Sequence, residues 1–160
     1  MKLLELITRL KKSEVYKEYY AKNPASYLCA GFFLFDLDSG KEEIQLDYSC
    51  DKDIVTFYLE EEIKSKPADS FEGKIPHKIS EELDFDLEKI KEIAKEEAEK
   101  SKIRLNKVIT ILQILDGKEV LSLNCMAGLK ILKIKIDVSS FNVLSSEVVS
   151  LFEIGKVVKK

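Results

Sequence analysis

Residues 42 to 50 alternate without interruption: Ile44, Leu46, Tyr48 and Cys50 point one way, and Glu43, Gln45, Asp47 and Ser49 point the other. A period of two is the geometry of a strand with one face buried and one face wet. Such a strand cannot stand alone, because its backbone groups need partners and its apolar side needs a cover. The run before it, SYLCAGFFLFDLD, is apolar on both faces, short, aromatic and bounded by turn residues, as a buried central strand would be. Asp38-Ser39-Gly40-Lys41 turns the chain between the two and predicts a hairpin. Asp51-Lys52-Asp53 turns it again, into a third strand with the sequence IVTFYLE. Antiparallel sheet is therefore the frame on which the rest must be hung.

Helices supply the cover. Leu3, Leu6, Ile7 and Leu10, then Tyr16, Tyr19 and Tyr20, recur at helical spacing over residues 2 to 20, with Lys and Glu on the other face. Asn23-Pro24 ends this helix, because proline disfavours helical geometry in the residue before it. Residues 61 to 82 break the pattern: Pro67, Gly73 and Pro76 punctuate a polar stretch that holds Ile63, Phe71 and Ile75 as isolated apolar residues. The layout then starts over. An amphipathic helix at 86–101 carries Leu87, Ile90, Ala94 and Ala98 on one stripe, with Asp84 or Asp86 to cap it. An apolar strand at 107–115, the hairpin signal Asp116-Gly117, a returning EVLSLNCM, the turn Ala127-Gly128 and LKILKIKIDV follow in order. VLSSEVVSLFEIGKVV suits a short strand and a helical turn, and periodicity does not decide it.

The fold class so predicted is α+β: antiparallel sheet packed by helices, in two consecutive helix-then-three-strand units. The first unit spans 1–60, a linker spans 61–82, and the second spans 83–160, the whole forming one compact globule. The shared order of elements suggests an internal duplication.

Residues 86 to about 151 resemble a PepSY-type, cystatin-like α+β domain. The helix DLEKIKEIAKEEAEK, the hairpin after it, LKILKIKID and the segment VSSFNVLSSE carry the resemblance. Where the family often has a glycine before a valine, this chain has Asn142 before Val143, and it has no tryptophan in the hairpin. The resemblance implies a small binding or inhibitory module, often directed at peptidases and often secreted. The opening segment MKLLELITRLKKSE does not match an export signal, since Glu5 and Arg9 interrupt its apolar run.

Charge narrows the partners. With 26 basic against 29 acidic residues the net charge is −3, which leaves no surplus to neutralise phosphates and argues against nucleic acid. Lys130, Lys133 and Lys135 fit the exposed side of a strand. Cys29, Cys50 and Cys125 lie far apart in apolar runs with no CxxC pair, as buried reduced thiols do. Nothing approaches the roughly 18 uncharged apolar residues of a membrane span. A cytoplasmic protein without a membrane partner is the expectation.

Two sets of residues are candidates for chemistry. FLFDLDSGK resembles the first motif of haloacid dehalogenase-type phosphatases, which would make Asp36 the nucleophile and Asp38 the general acid beside a magnesium ion. The chain has Ser39-Gly40 where that family has Gly-Thr, and a strand follows in place of a helix, so an acidic hairpin turn is the plainer reading. His77, the one histidine, lies in the linker with no serine–histidine–aspartate set legible around it. No cofactor is implied. The function expected is a non-enzymatic binding or interaction module for a protein or small ligand. An exposed sheet face, a sheet edge or the 61–80 loop would do the holding, with Ile63, Phe71, Ile75 and His77 as binding residues. The alternative is a metal-dependent phosphatase or hydrolase using Asp36 and Asp38. A homo-oligomer through a sheet edge is compatible with either.

Overall fold

The two units meet strand to strand. In the computed structural model, which describes residues 1–68 and 76–152, eight strands form one antiparallel sheet. They are β1 (Tyr27–Asp36), β2 (Glu42–Cys50), β3 (Asp53–Leu59), β4 (Ile63–Ala68), β5 (Lys107–Leu115), β6 (Lys118–Ala127), β7 (Lys130–Asp137) and β8 (Val143–Ser150). Their order is β4-β3-β2-β1-β5-β6-β7-β8, so each unit is a meander and β1 pairs with β5 at the centre. The α+β class and the helix-packed antiparallel sheet are as the periodicity predicts.

Several elements differ in detail. The helix expected over 2–20 is two helices, α1 (Leu3–Lys11) and α2 (Glu14–Lys22). Ser13 separates them: its hydroxyl accepts the Tyr16 N–H at 3.2 Å, an N-cap that restarts the helix in a new direction. Each unit carries a fourth strand beyond the three expected. In the first unit this is β4, inside the stretch that reads as linker. It escapes the period-two test because it is an edge strand with only Ile63 turned to the core, and Lys64, Lys66 and Pro67 are the residues that guard such edges. In the second unit it is β8, which the sequence leaves open between strand and helical turn.

One apolar layer unites these elements. Leu3, Leu6, Ile7 and Leu10 of α1, Tyr16 of α2, and Leu87, Ile90, Ala94 and Ala98 of α3 (Leu87–Lys100) are buried in a single cluster. The same cluster takes one alternate set of strand residues: Phe33 and Phe35, Leu46 and Tyr48, Phe57 and Leu59, Val108 and Leu112, Leu121 and Leu123, Leu132 and Ile134. Alternation fixes these on one side of the sheet, so all three helices lie on that side. Tyr16, Tyr48 and Phe57 meet edge-on or tilted with ring centres 5.4 to 5.7 Å apart, which seats α2 over β2 and β3. Asp86 caps α3, accepting the Glu88 N–H at 3.0 Å. Lys91 of α3 reaches Glu42 of β2 at 3.4 Å and lies over the Phe35 ring at 5.2 Å.

Asp116 and Gly117 both take positive φ, 51° and 79°, the conformation of the two-residue turn that their types predict. At the central seam Gly31 faces Leu112, and a Cβ placed there would lie 3.1 Å from the Phe33 ring and 3.3 Å from the Leu112 Cβ. No room exists for a branched side chain where the halves join.

Within this layer Thr110 is fully buried, and its hydroxyl finds no partner among the described residues. A buried hydroxyl without a hydrogen bond is costly. Thr110→Val, which keeps the shape and removes the orphan, is expected to stabilise the fold by about 1 kcal/mol. Urea denaturation of the two proteins checks this, and an equal or lower midpoint for the variant would count against it.

Candidate functional site

The strand residues that alternate with the core set form the opposite face. Register places Gln45, Phe32 and Ile111 side by side across β2, β1 and β5, with Tyr58 and Ser122 flanking them. Leu34 and Ile109 form the next apolar pair along the same strands. Phe32, Leu34, Ile109 and Ile111 are half-buried, and none belongs to the helix-covered cluster. The centre of this face is therefore apolar floor with a polar surround.

A cavity of about 470 Å³ opens on it. Phe32 and Ile111 line its apolar part, and Gln45, Asp47, Gln113 and His77 line its polar part. A bulge in β1 between Leu28 and Ala30 bends the strand at this end and leaves Cys29 out of register. His77 arrives because the segment it belongs to is tied to the start of β1. The Tyr27 hydroxyl donates to the Pro76 carbonyl at 2.6 Å, and the Ile79 N–H donates to the Leu28 carbonyl at 2.8 Å. Sheet face and linker end, proposed separately from the sequence, thus share one cavity.

Asp47 is the unusual member. Its partner across β3, Thr56, donates to its Oδ1 at 2.7 Å. Burial holds the Asp47 carboxyl above its ordinary range, and the Thr56 hydrogen bond only partly offsets this. Cys29, whose thiol donates to the Asp47 carbonyl at 3.4 Å, is itself pushed up to about 12, first by burial and then by the Asp47 charge. A thiol so protonated is no nucleophile near neutral pH. Cys125 is likewise buried and pushed up to about 12.

The remaining predicted residues fall elsewhere. Ile63 lies in β4 opposite Leu59 and packs against the core. Phe71 and Ile75 lie outside the described residues. Asp36 and Asp38 stand in the β1–β2 turn, and the carboxylate of Asp36 is engaged there: Oδ1 accepts the N–H groups of Asp38 at 3.0 Å and Ser39 at 3.1 Å. These amides, that of Ser39 foremost, hold its carboxyl below the ordinary range. Asp38 accepts from Asn106 at 3.1 Å, bracing the turn against the start of β5. The same turn recurs between β7 and β8. Asp36 N–H to Lys41 O is matched by Asp137 N–H to Asn142 O, both at 2.9 Å, and Gly40 at φ 78° is matched by Phe141 at φ 60°. Asp137 accepts from Ser139 and Ser140 as Asp36 accepts from its own turn. An aspartate at the first position is what this turn needs in both places. Among the described residues no group of three or more His, Cys, Asp or Glu side chains is placed to hold a metal ion.

Asp47, Gln45 and Gln113 went unsingled in the sequence. Gln45 and Asp47 read as the wet side of an alternating strand and Gln113 as part of an apolar one, and only the one-sided placement of the helices makes that side a cavity wall. No helix among the described residues is long and apolar enough to cross a membrane.

No protein-family model and no curated protein matches the chain. Among solved structures, a candidate lipoprotein from Clostridium difficile 630 superposes with a TM-score of 0.55 over 84% of this chain and 90% of that one. At 14% identity the likeness is one of fold.

The folded-state pKa of Asp47 lies above its unfolded value, so its contribution to stability is complete below the unfolded range and is lost as pH rises through the folded pKa. Asp47→Asn keeps an oxygen for Thr56 and removes that loss. The variant is expected to melt above the wild type at neutral pH, with the gap closing below about pH 4. Paired melting curves from acid to neutral pH test this; a gap independent of pH would refute it.

Proposed function

We propose that the chain is a non-enzymatic binding module that takes a small, largely apolar ligand on the helix-free face of its sheet. The cavity carries this reading. Its size falls within the range of roughly 300 to 1,000 Å³ common to small-molecule sites. An apolar floor with a few convergent polar groups is also the usual composition of such a site. Phe32 and Ile111 would bury the ligand's body, and Gln45, Gln113, Asp47 and His77 would orient its polar end.

Kinship with PepSY-type modules is part of the proposal. α3, β5, β6 and β7 follow in the order which that resemblance implies, and the first unit repeats it with a helix pair before its strands, which favours duplication of one ancestral unit. Three unpaired cysteines favour a reducing, cytoplasmic setting, whereas the lipoprotein name of the structural neighbour favours a membrane-attached one.

A neutral apolar dye whose emission rises on burial, such as N-phenyl-1-naphthylamine, tests the site. The wild type is expected to bind it, and Ile111→Glu, which sets a charge on the cavity floor, to bind at least about tenfold more weakly. Melting curves confirm that the variant is folded. No dye binding, or equal binding by a folded Ile111→Glu protein, would remove the proposal.

The sheet's two edges favour a second mode of association, with another copy of the chain. β4 is guarded by Lys64, Lys66 and Pro67, but β8 leaves Val143, Leu144 and Val148 exposed with Glu147 as its one charge. Sedimentation at high concentration is expected to show a dimer that Val148→Lys dissolves; a wild-type monomer would exclude it.

A further inference from the structure

Asp47 is a carboxylate in a mostly apolar cavity, and among the described residues no Lys or Arg pairs with it. In its cross-strand row the register is Asp47, Thr56, Lys66, so Lys66 is the cation that the sheet brings nearest along that row. Yet the Lys66 ammonium lies over the Tyr58 ring, 5.6 Å from its centre, and no ion pair between Asp47 and a Lys or Arg is found among the described residues. Thr56 takes one carboxylate oxygen. The neighbouring wall offers a further acceptor, because Gln113 uses its Nε2 to donate to Ser122 at 3.3 Å and keeps its carbonyl oxygen.

Resting on the binding-module reading above, we infer that the ligand's polar end is a protonated amine docked on Asp47, so that the cavity selects cationic amphiphiles over neutral or anionic ones of equal length. An ammonium group has three donors and no acceptor. The Asp47 carboxylate and the Gln113 carbonyl give it two acceptors, and Phe32 and Ile111 receive the chain behind it. A carboxylate head would meet a like charge in a poorly solvated site, and a hydroxyl head would leave Asp47 without a counter-charge. The raised carboxyl pKa is what an acid awaiting its counter-ion shows.

Displacement of the neutral dye by octylammonium, octanol and octanoate tests this at neutral pH. In the wild type octylammonium is expected to compete at least about tenfold more tightly than octanol, with octanoate weakest. Asp47→Asn should bring octylammonium and octanol within about twofold of each other. Glu43→Gln removes a charge from the same face outside the cavity and should leave the preference in place, which separates pairing at Asp47 from general attraction to an acidic protein. Equal competition by the amine and the alcohol overturns the inference, as does a preference that survives in Asp47→Asn or falls equally in Glu43→Gln. If the dye itself fails to bind the wild type, the cavity reading falls and this inference with it. Dye binding without amine preference removes this inference alone.

Discussion

Pairing of β1 with β5 is the constraint on which the remaining structure depends. Each unit is a meander whose one face needs cover, and a four-stranded meander with one or two helices has little core of its own. Joined at β1 and β5, the two meanders make one sheet, and the helices of both units contribute to one apolar layer. The seam is tight. Gly31 stands where any side chain would press on Phe33 and Leu112, and the aromatic residues that flank it, Phe33 and Phe35, fill the space below the sheet. A continuous central run that is apolar on both faces follows from this position: β1 has a strand on either side, core beneath and the cavity floor above.

Placing all three helices on one side decides the other side's character. Half-buried Phe32, Leu34, Ile109 and Ile111 would ordinarily be covered by another layer. Here the described residues bring only the segment at Pro76 and His77 to the rim, beside the bulge in β1. A buried carboxylate in such a place opposes folding near neutral pH, and Thr110 leaves a hydroxyl unsatisfied in the layer below. Those two departures differ in kind. Thr110 is walled in by core and can only cost stability, whereas Asp47 borders a space that a ligand could enter. Polar groups that strain the fold while facing a cavity are where binding energy is gained on occupation.

Hairpins were the most legible feature. Asp116-Gly117, Ala127-Gly128 and the alternation of residues 42 to 50 each specify local geometry through side-chain type alone; the structure forms both turns and the strand, except that Ser49, read as wet, is buried. Edges were less legible. β4 buries little besides Ile63, so its sequence carries protective lysines and a proline in place of alternation, and it resembles a linker. The Ser13 cap was hidden because apolar spacing continues across it from Leu10 to Tyr16. The Asp36-x-Asp38 pattern is ambiguous for a related reason: an aspartate that caps a turn and an aspartate that attacks a phosphate look alike in a sequence. Its twin at Asp137, in a turn of the same hydrogen-bond geometry, shows what such a residue does for the backbone.

Period, turn chemistry and charge balance by themselves determined that this chain is an α+β protein of antiparallel hairpins covered by amphipathic helices, with no surplus of positive charge. These are local or additive properties, read from neighbours within a few residues. Tertiary structure alone decided that the two units share a sheet, that their helices choose the same side, and that Gln45, Asp47, Gln113 and His77 converge on one cavity. Residues 47, 77 and 113 are distant in the chain, and their meeting depends on the β1–β5 register and on the hydrogen bonds that tie the segment at 76–79 to Tyr27 and Leu28. A sequence records the alternation that sets Asp47 apart from Leu46 and Tyr48. Which side of that alternation is covered, and which is left as a cavity wall, is settled only when the helices pack.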